Sequence, residues 1–183
     1  MTLGEIIQKS LQRLEFGDDP QAVEAYQPIF TTYANQAIRK IAKQYGKTTK
    51  QTLTLTAADQ FLLSSLTYGC IRIIDVQDSV GSIVYYQDPV GSDTYTCDTT
   101  EATVDVIYQY YPATLTAQSE TPDVPVQIHD AITHYIVASY RAGGDPSTQS
   151  TASVDYQIFN AALKDLGTAT DNNPRSKRIK NWY

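Results

Sequence analysis

The chain of 183 residues contains 20 acidic and 14 basic residues, and 42% of its residues are hydrophobic. This length fits one domain with an insertion, and the apolar content suffices for a core. No apolar run approaches the roughly 18–20 residues that a membrane helix needs, so we expect no membrane partner. The first residues lack a basic segment followed by an apolar one, so we expect no secretory signal.

Charge is divided unevenly along the chain. Residues 1–171 contain ten basic and 20 acidic residues, whereas residues 172–183 contain four basic residues and no acidic one. Contacts with phosphate groups need Lys and Arg, so the acidic body is a poor ligand for nucleic acid. A negatively charged surface repels DNA and therefore suits a wall past which DNA must slide.

A first helix is predicted over about 2–16. Thr2-Leu-Gly-Glu5 has the pattern of a capping box, and apolar residues at helical spacing follow it. Gly17 suits the C-terminal cap of this helix.

A second helix is predicted over about 20–45, where apolar residues again recur at helical spacing. Asp19 suits its N-cap and Pro20 its first turn. Pro28 lies inside the segment, so we expect a kink or a restart of the helix there.

The sequence period then changes from helical to alternating, which predicts a small antiparallel β module over about 48–111. Residues 57–63 are predicted to form a turn or a short helix. The predicted strands number about five and cover residues 51–56, 71–76, 82–86, 95–97 and 102–111.

Two further helices are predicted over about 124–142 and 148–166, the first of them capped by Asp123. The predicted buried face of the last helix consists of Val154, Ile158, Phe159, Ala162, Leu163 and Leu166. The expected fold is therefore α+β: a bundle of about four helices with an inserted β module and an extended C-terminal tail. We expect one domain over 1–171 and a separate arm over 172–183.

Motifs for catalysis or metal binding are absent from the sequence. His129 and His134 are five residues apart, which misses the spacing of a helical zinc pair, so we expect them on a helix surface or at an interface. No Gly-x-Ser-x-Gly or phosphate-binding loop occurs. We therefore expect no enzymatic activity, no cofactor and no metal.

Cysteines and clustered carboxylates have structural interpretations. Cys70 and Cys97 stand alone, and reduced thiols packed in strands are favoured over a disulfide. Five aspartates of the β module are interpreted as turn formers rather than as cation ligands: Asp75, Asp78, Asp88, Asp93 and Asp98.

Tyrosines on adjacent strand positions must point to both faces of a sheet. Such strands are either buried on both sides or in contact with a partner, and tyrosine suits an interface because its ring is apolar and its tip polar. Both interpretations stay open for the candidate β-module interface: Tyr85, Tyr86, Tyr108, Tyr110 and Tyr111.

The last twelve residues, which we call the arm, differ chemically from the body. A short, basic segment broken by Pro174 cannot form a core of its own, so it is either a solvated terminus or a docking segment. We favour docking on a partner and expect the arm to be disordered in a free monomer. The candidate partner-binding residues are four cations and three apolar anchors: Arg175, Lys177, Arg178, Ile179, Lys180, Trp182 and Tyr183.

Five segments of the chain carry a resemblance to a known family: residues 2–7 with Leu11 and Leu14, residues 35–45, residues 106–112, residues 124–140, and Gly144-Asp-Pro followed by a helix with Tyr156 and Phe159. Their layout resembles that of the head-to-tail connector (portal adaptor) proteins of tailed bacteriophages. The β module is the part expected to depart from the all-helical members of that family.

This resemblance implies a structural virion protein, assembled in the host cytoplasm, that forms a ring commonly of twelve copies. Its implied partners are the portal protein, further copies of itself, the next tail or neck protein, and genomic DNA that passes without specific binding. Two alternatives stay open: a neck or tail-completion protein one layer further out, and a DNA-binding module that uses the basic arm.

Overall fold

The computed structural model describes residues 1–17, 19–56, 58–87, 92–144 and 146–171. These residues contain four α-helices and six short strands in antiparallel sheets, so the predicted α+β class is confirmed. The chain divides into a helical unit, formed by Met1–Tyr45 and Pro112–Tyr183, and a β unit, formed by Gly46–Tyr111. The tail predicted beyond residue 171 lies outside the described residues.

The helices of the described part of the helical unit are α1 (Leu3–Arg13), α2 (Pro20–Tyr45), α3 (His129–Ala142) and α4 (Pro146–Asp171). The predicted bounds of α2 are confirmed at both ends, and Asp19 Oδ1 accepts a hydrogen bond from the Gln21 N–H as expected of an N-cap. α4 is longer than predicted at both ends.

α1 ends earlier than predicted because its C-terminal cap is not Gly17. Glu15 takes the left-handed conformation, with φ of 65°. The N–H groups of Glu15 and Phe16 then donate to the carbonyls of Gln12 and Leu11, which is the pattern of a Schellman motif. This turn directs Phe16 back toward the helices.

The N-terminus of α1 is capped from two directions. The predicted capping box is present, since Thr2 Oγ1 accepts from the Glu5 N–H at 3.3 Å and Glu5 Oε2 accepts from the Thr2 N–H at 2.8 Å. The next backbone N–H groups donate to the carbonyls of Gln118 and Glu120. A Cβ on Gly4 would lie 3.2 Å from Gln118 Cβ, so glycine allows this close approach.

Pro28 lies inside α2, and the helix continues through it without the restart that was considered. Proline removes the N–H that would bond to the carbonyl of Glu24. Both residues are exposed, so water can bind that carbonyl and the helix tolerates the loss.

α3 is the central helix of the helical unit, with nine of its 14 residues buried. The prediction that it starts near residue 124 under an Asp123 cap is wrong. Pro125 has extended backbone, with ψ of 132°, which prevents a helix there, and a 3-10 turn at Val126–Ile128 follows it. The α-helix then begins at His129.

The core of the helical unit is formed by all four helices and by the segment that follows the β unit. Asn35 of α2 holds that segment in place, because its side-chain amide donates to the Leu115 carbonyl and accepts from the Leu115 N–H, both at 2.9 Å. The largest buried apolar residues of this core are Phe30, Phe159, Leu3, Ile6, Ile7, Leu11, Ile41, Ile128, Ile132 and Ile136.

The buried face of α4 differs in part from the predicted one. Phe159 and Leu163 are buried as predicted, but Val154 is 53% exposed and Ile158 is 41% exposed. Asp155 is buried instead, because its carboxylate pairs with side chains of α3. The helix is therefore rotated relative to the face that its apolar residues alone indicate.

Two three-stranded antiparallel sheets form the β unit, with strand orders β1-β6-β3 and β2-β5-β4. Val106 of β6 lies opposite Gln51 on one side and Val76 on the other, at the centre of the first sheet. The strands are β1 (Thr48–Thr54), β2 (Gln60–Leu62), β3 (Cys70–Gln77), β4 (Tyr86–Gln87), β5 (Thr94–Cys97) and β6 (Thr103–Tyr110).

Within the segment predicted as a turn or a short helix, the Asp59 N–H donates to the Thr56 carbonyl in a turn, but a strand, β2, then follows at Gln60–Leu62. Phe61 of β2 pairs with Tyr95 of β5, and their rings stack with centroids 5.4 Å apart. A strand of three residues is too short for an alternating pattern to show in the sequence.

The strand predicted over 82–86 is reduced to β4 and an isolated bridge between Gln77 and Ile83. The reason is a tight turn around Asp78, whose Oδ1 accepts from the N–H groups of Val80 and Ser82 at 3.0 and 2.7 Å. Gly81 allows this turn because its φ is +85°.

Candidate functional site

The arm is the first predicted interaction site, and its candidate residues from Arg175 to Tyr183 lie outside the described residues. The described structure does define where the arm starts, since α4 ends at Asp171. The arm therefore follows directly from the end of a 26-residue helix.

Three of the five candidate tyrosines belong to the first sheet of the β unit or follow it. Tyr108 is fully buried, its hydroxyl lies 3.2 Å from Gln51 Oε1, and burial raises its pKa. Of the two interpretations left open, the core one therefore holds for Tyr108 and the interface one does not. Tyr110 is half-buried and stacks on Tyr68, with ring centroids 4.8 Å apart, and Tyr111 is half-buried.

The other two tyrosines lie on the second sheet or just before it. Tyr86 is half-buried against Tyr95, whereas Tyr85 is 81% exposed. Val80 and Ile83, in the segment before Tyr85, are also largely exposed. Of the five candidate tyrosines, Tyr85 alone is therefore largely exposed.

His129 is buried, so its predicted place on a helix surface is wrong. Its Nε2–H donates to the Val124 carbonyl and its Nδ1 accepts from the Met1 ammonium, both at 3.1 Å. This tautomer follows from the partners, because a carbonyl only accepts and an ammonium only donates. Burial lowers the pKa of His129, and the charge of the N-terminus lowers it further.

We expect the free energy of unfolding to decrease as the pH falls from about 7 to 5. An unfolded histidine takes up a proton near pH ~6.5, whereas the lowered pKa of His129 keeps the folded ring neutral over part of this range. The unfolded state then binds more protons and is favoured. Urea unfolding followed by circular dichroism at both pH values measures the loss, and the variant His129→Gln should lose less. An equal loss in both proteins would contradict this account.

His134 is also buried rather than exposed, and its Nδ1 lies 2.8 Å from Asp155 Oδ1. The other carboxylate oxygen of Asp155 accepts from Arg141 Nη1 at 2.9 Å. Arg141 Nη2 in turn donates to the carbonyl of Arg13 at 3.3 Å. One buried carboxylate therefore links α3 to α4, and Arg141 extends the link to the end of α1.

An open cleft of about 630 Å³ lies beside this network, where α1 ends and α4 begins. The residues of this cleft come from four separate segments of the chain, so the sequence alone does not indicate it. We call it the aromatic cleft. It is lined by Leu14, Phe16, Ile29, Tyr33 and Tyr140, with Glu15, Arg141, Gly143, Gly144, Thr148 and Thr151 as its more polar residues.

Packed aromatic rings form the wall of the aromatic cleft. Phe16 stacks on Tyr26 with centroids 4.8 Å apart, and Tyr140 meets Tyr26 edge-on at 5.6 Å. A hydrogen bond with Tyr26 and burial raise the pKa of Tyr140, so its hydroxyl is neutral at ordinary pH. Ile29 at the opening is 41% exposed. The cleft thus has a preformed aromatic wall and is open to solvent in the described part of the chain.

Two aspartates of the β unit accept hydrogen bonds from backbone N–H groups, whereas Asp75 Oδ2 accepts from Gln77 Nε2 at 2.9 Å. Asp78 forms the tight turn described above, and Asp93 Oδ2 accepts from the Ser64 N–H at 3.2 Å. Asp88 lies outside the described residues. Among the residues that are described, no group of three or more His, Cys, Asp or Glu side chains is placed to hold a metal ion.

The two cysteines are free thiols in different sheets, as predicted. Cys70 begins β3 and Cys97 ends β5. Burial raises the pKa of both thiols, so neither is activated as a nucleophile.

Comparison of the sequence with protein families and with curated proteins finds no match. In the described residues, none of the helices combines the length and the apolar character that crossing a membrane requires.

Proposed function

We propose that this chain is a structural subunit of the ring that joins head to tail in a tailed bacteriophage. The ring docks under the portal, extends the DNA channel and carries the next tail protein. The observation that carries the proposal is the element order, two helices, a β unit and two helices. Four of the five segments on which the resemblance rests fall on or beside these helices.

The charge of the body supports the same proposal. Residues 1–171 carry twice as many acidic as basic residues, and a channel wall of that charge repels DNA instead of binding it. DNA can then slide through the ring during ejection.

The arm supports docking on another protein. Its four cations suit carboxylates, and Ile179, Trp182 and Tyr183 are of the types that anchor protein interfaces. The portal and a neighbouring subunit are the two candidate partners. The exposed Tyr85 of the β unit is proposed to contact the next layer or a neighbouring copy.

A DNA-binding module is the alternative from a different class. Four cations give weak binding to phosphate, and such binding falls steeply with salt. An arm that binds through apolar anchors should keep its partner at moderate salt, so the salt dependence separates the two functions. A neck protein one layer further out is a second alternative and would bind the connector ring rather than the portal.

Co-sedimentation with portal rings of the same phage tests the proposal. The full chain is expected to sediment with the rings at low and moderate salt, and a chain ending at Asp171 is expected to bind more weakly or not at all. The double variant Trp182→Ala, Tyr183→Ala serves as a control that keeps the charges of the arm. If the full chain stays in the supernatant at both salt concentrations, the proposed position under the portal is wrong.

A further inference from the structure

The arm and the aromatic cleft have complementary chemistry. We infer that the arm of one copy binds in the aromatic cleft of a second copy. Trp182 and Tyr183 then lie against the aromatic wall, and the basic residues lie over the turn between α1 and α2. This inference deepens the proposed function, on which it rests, because it names the contact that joins neighbouring subunits of the ring.

The size and composition of the cleft fit such an anchor. Its volume of about 630 Å³ lies in the ~300–1,000 Å³ range of typical binding pockets. Trp and Tyr bury about 150–250 Å² each and are enriched among residues that dominate binding energy. The cleft offers Ile29 and Tyr33 as apolar contacts, and its aromatic wall is held in place by the stacking of Phe16 on Tyr26.

Charge favours the arm as the occupant. Glu15 lines the cleft, and Asp19 follows it just before α2. The positive charge of Arg141 in the cleft is matched by Asp155, at 2.9 Å. With Arg141 matched in this way, Glu15 leaves the lining of the cleft negatively charged, whereas the arm carries four cations and no acid. Complementary charge of this kind selects and orients a partner.

The length of α4 favours a second copy over the same copy. Thr151 lines the cleft, and α4 continues 20 residues beyond it to Asp171, which is about 30 Å at 1.5 Å per residue. Trp182 follows Asp171 by eleven residues, whose typical flexible span is about 20 Å. The arm would have to turn back and extend almost fully to reach its own cleft. A neighbouring cleft near the end of α4 demands no such extension.

This contact also has the symmetry that a ring needs. The arm and the cleft are two different patches on each subunit, so each copy donates one arm and accepts another. A head-to-tail contact of this kind repeats around a closed ring, whereas a contact between identical patches stops at a dimer.

Photo-crosslinking of full-length protein tests the inference. Trp182 is replaced by a benzophenone-bearing phenylalanine analogue, and isotope-labelled and unlabelled copies are mixed at high concentration before irradiation. Mass spectrometry should find position 182 joined to residues of the cleft, such as Ile29 or Tyr140, in pairs that combine a labelled and an unlabelled chain. Crosslinks confined to one chain, crosslinks to another surface, or no crosslinks would each overturn the inference.

A second measurement uses the fact that Trp182 is the single tryptophan of the chain. In the unmodified protein, its emission should shift to shorter wavelength as concentration rises and the ring becomes buried. Ile29→Glu should raise the concentration of half-association by about tenfold or more, since it places a charge at the opening of the cleft. Val126→Glu is the matched control, because Val126 is 67% exposed before the opposite end of α3. If both variants associate like the unmodified chain, the cleft is not the binding site.

The two proposals can fail separately. If portal rings bind the full chain and position 182 crosslinks to the portal protein alone, the inference is wrong and the proposed function stands. If position 182 crosslinks between copies but portal rings bind no chain, the cleft contact stands and the place under the portal is wrong.

Discussion

Replacing Asp155 by Ala is expected to destabilise the helical unit by about 3 kcal/mol, at the lower end of the range for breaking a buried ion pair. The substitution leaves His134 without its carboxylate partner in the core, and it leaves Arg141 without the charge it faces. Because these contacts join α3 to α4, the loss should appear as a lower urea midpoint of the helical circular dichroism signal.

Asp130 provides a matched control for this substitution. It is also an aspartate paired with a cation, Lys9 at 3.1 Å, but its side chain is 56% exposed. An exposed pair of this kind contributes at most about 1 kcal/mol, so Asp130→Ala should change the midpoint little. If Asp155→Ala and Asp130→Ala cost the same, the buried network does not hold α4 in place.

Phe159→Ala is the second substitution with a large expected effect, about 3–5 kcal/mol, because it leaves a cavity in the core. Phe159 is 1% exposed, and its ring lies 5.0 Å from that of Tyr135. The neighbouring substitution Ile158→Ala should change the free energy of unfolding by no more than about 0.5 kcal/mol, as is usual at an exposed site. Thermal or urea unfolding of both variants measures the difference.

This pair of substitutions also tests the rotation of α4. The apolar pattern of the sequence places Ile158 and Phe159 on one buried face, whereas the structure buries Phe159 and exposes Ile158. Similar losses for the two variants would support the sequence-based face and contradict the structure.

Helix positions were predictable because their signals are local. The capping box at Thr2, and Asp19 followed by Pro20, define helix starts through contacts within three residues. The end of α1 was missed because Glu15 takes a left-handed conformation that the sequence gives no reason to expect of glutamate.

Burial of polar residues was not predictable from the sequence, because their partners are distant. His129 pairs with Met1, 128 residues away, and His134 pairs with Asp155, 21 residues away. The spacing of the two histidines matches no metal-binding motif, so the sequence indicates surface or interface positions for both. The pairing of Asp155 with His134 also explains why the buried face of α4 differs from the face that its apolar residues indicate.

The aromatic cleft could not be predicted for the same reason. Phe16, Ile29, Tyr140 and Thr151 meet only after α1, α2, α3 and α4 have packed. The arm, by contrast, stands out in the sequence through its charge and its aromatic end. The sequence therefore identifies the arm, and the structure identifies the cleft in which we infer that it binds.

The buried network and the cleft are connected through one residue. Arg141 lines the cleft and also holds Asp155 and the carbonyl of Arg13. Arg141 thus connects the cleft to a junction of α1, α3 and α4. A binding surface that is already in place loses little conformational entropy on association, which suits the proposed contact between copies.

Electron cryomicroscopy of portal rings incubated with the full chain tests the proposed function most directly. We expect a closed ring of copies, commonly twelve, coaxial with the portal and with an open central channel. Portal rings without added density, or with isolated copies that form no ring, would contradict it.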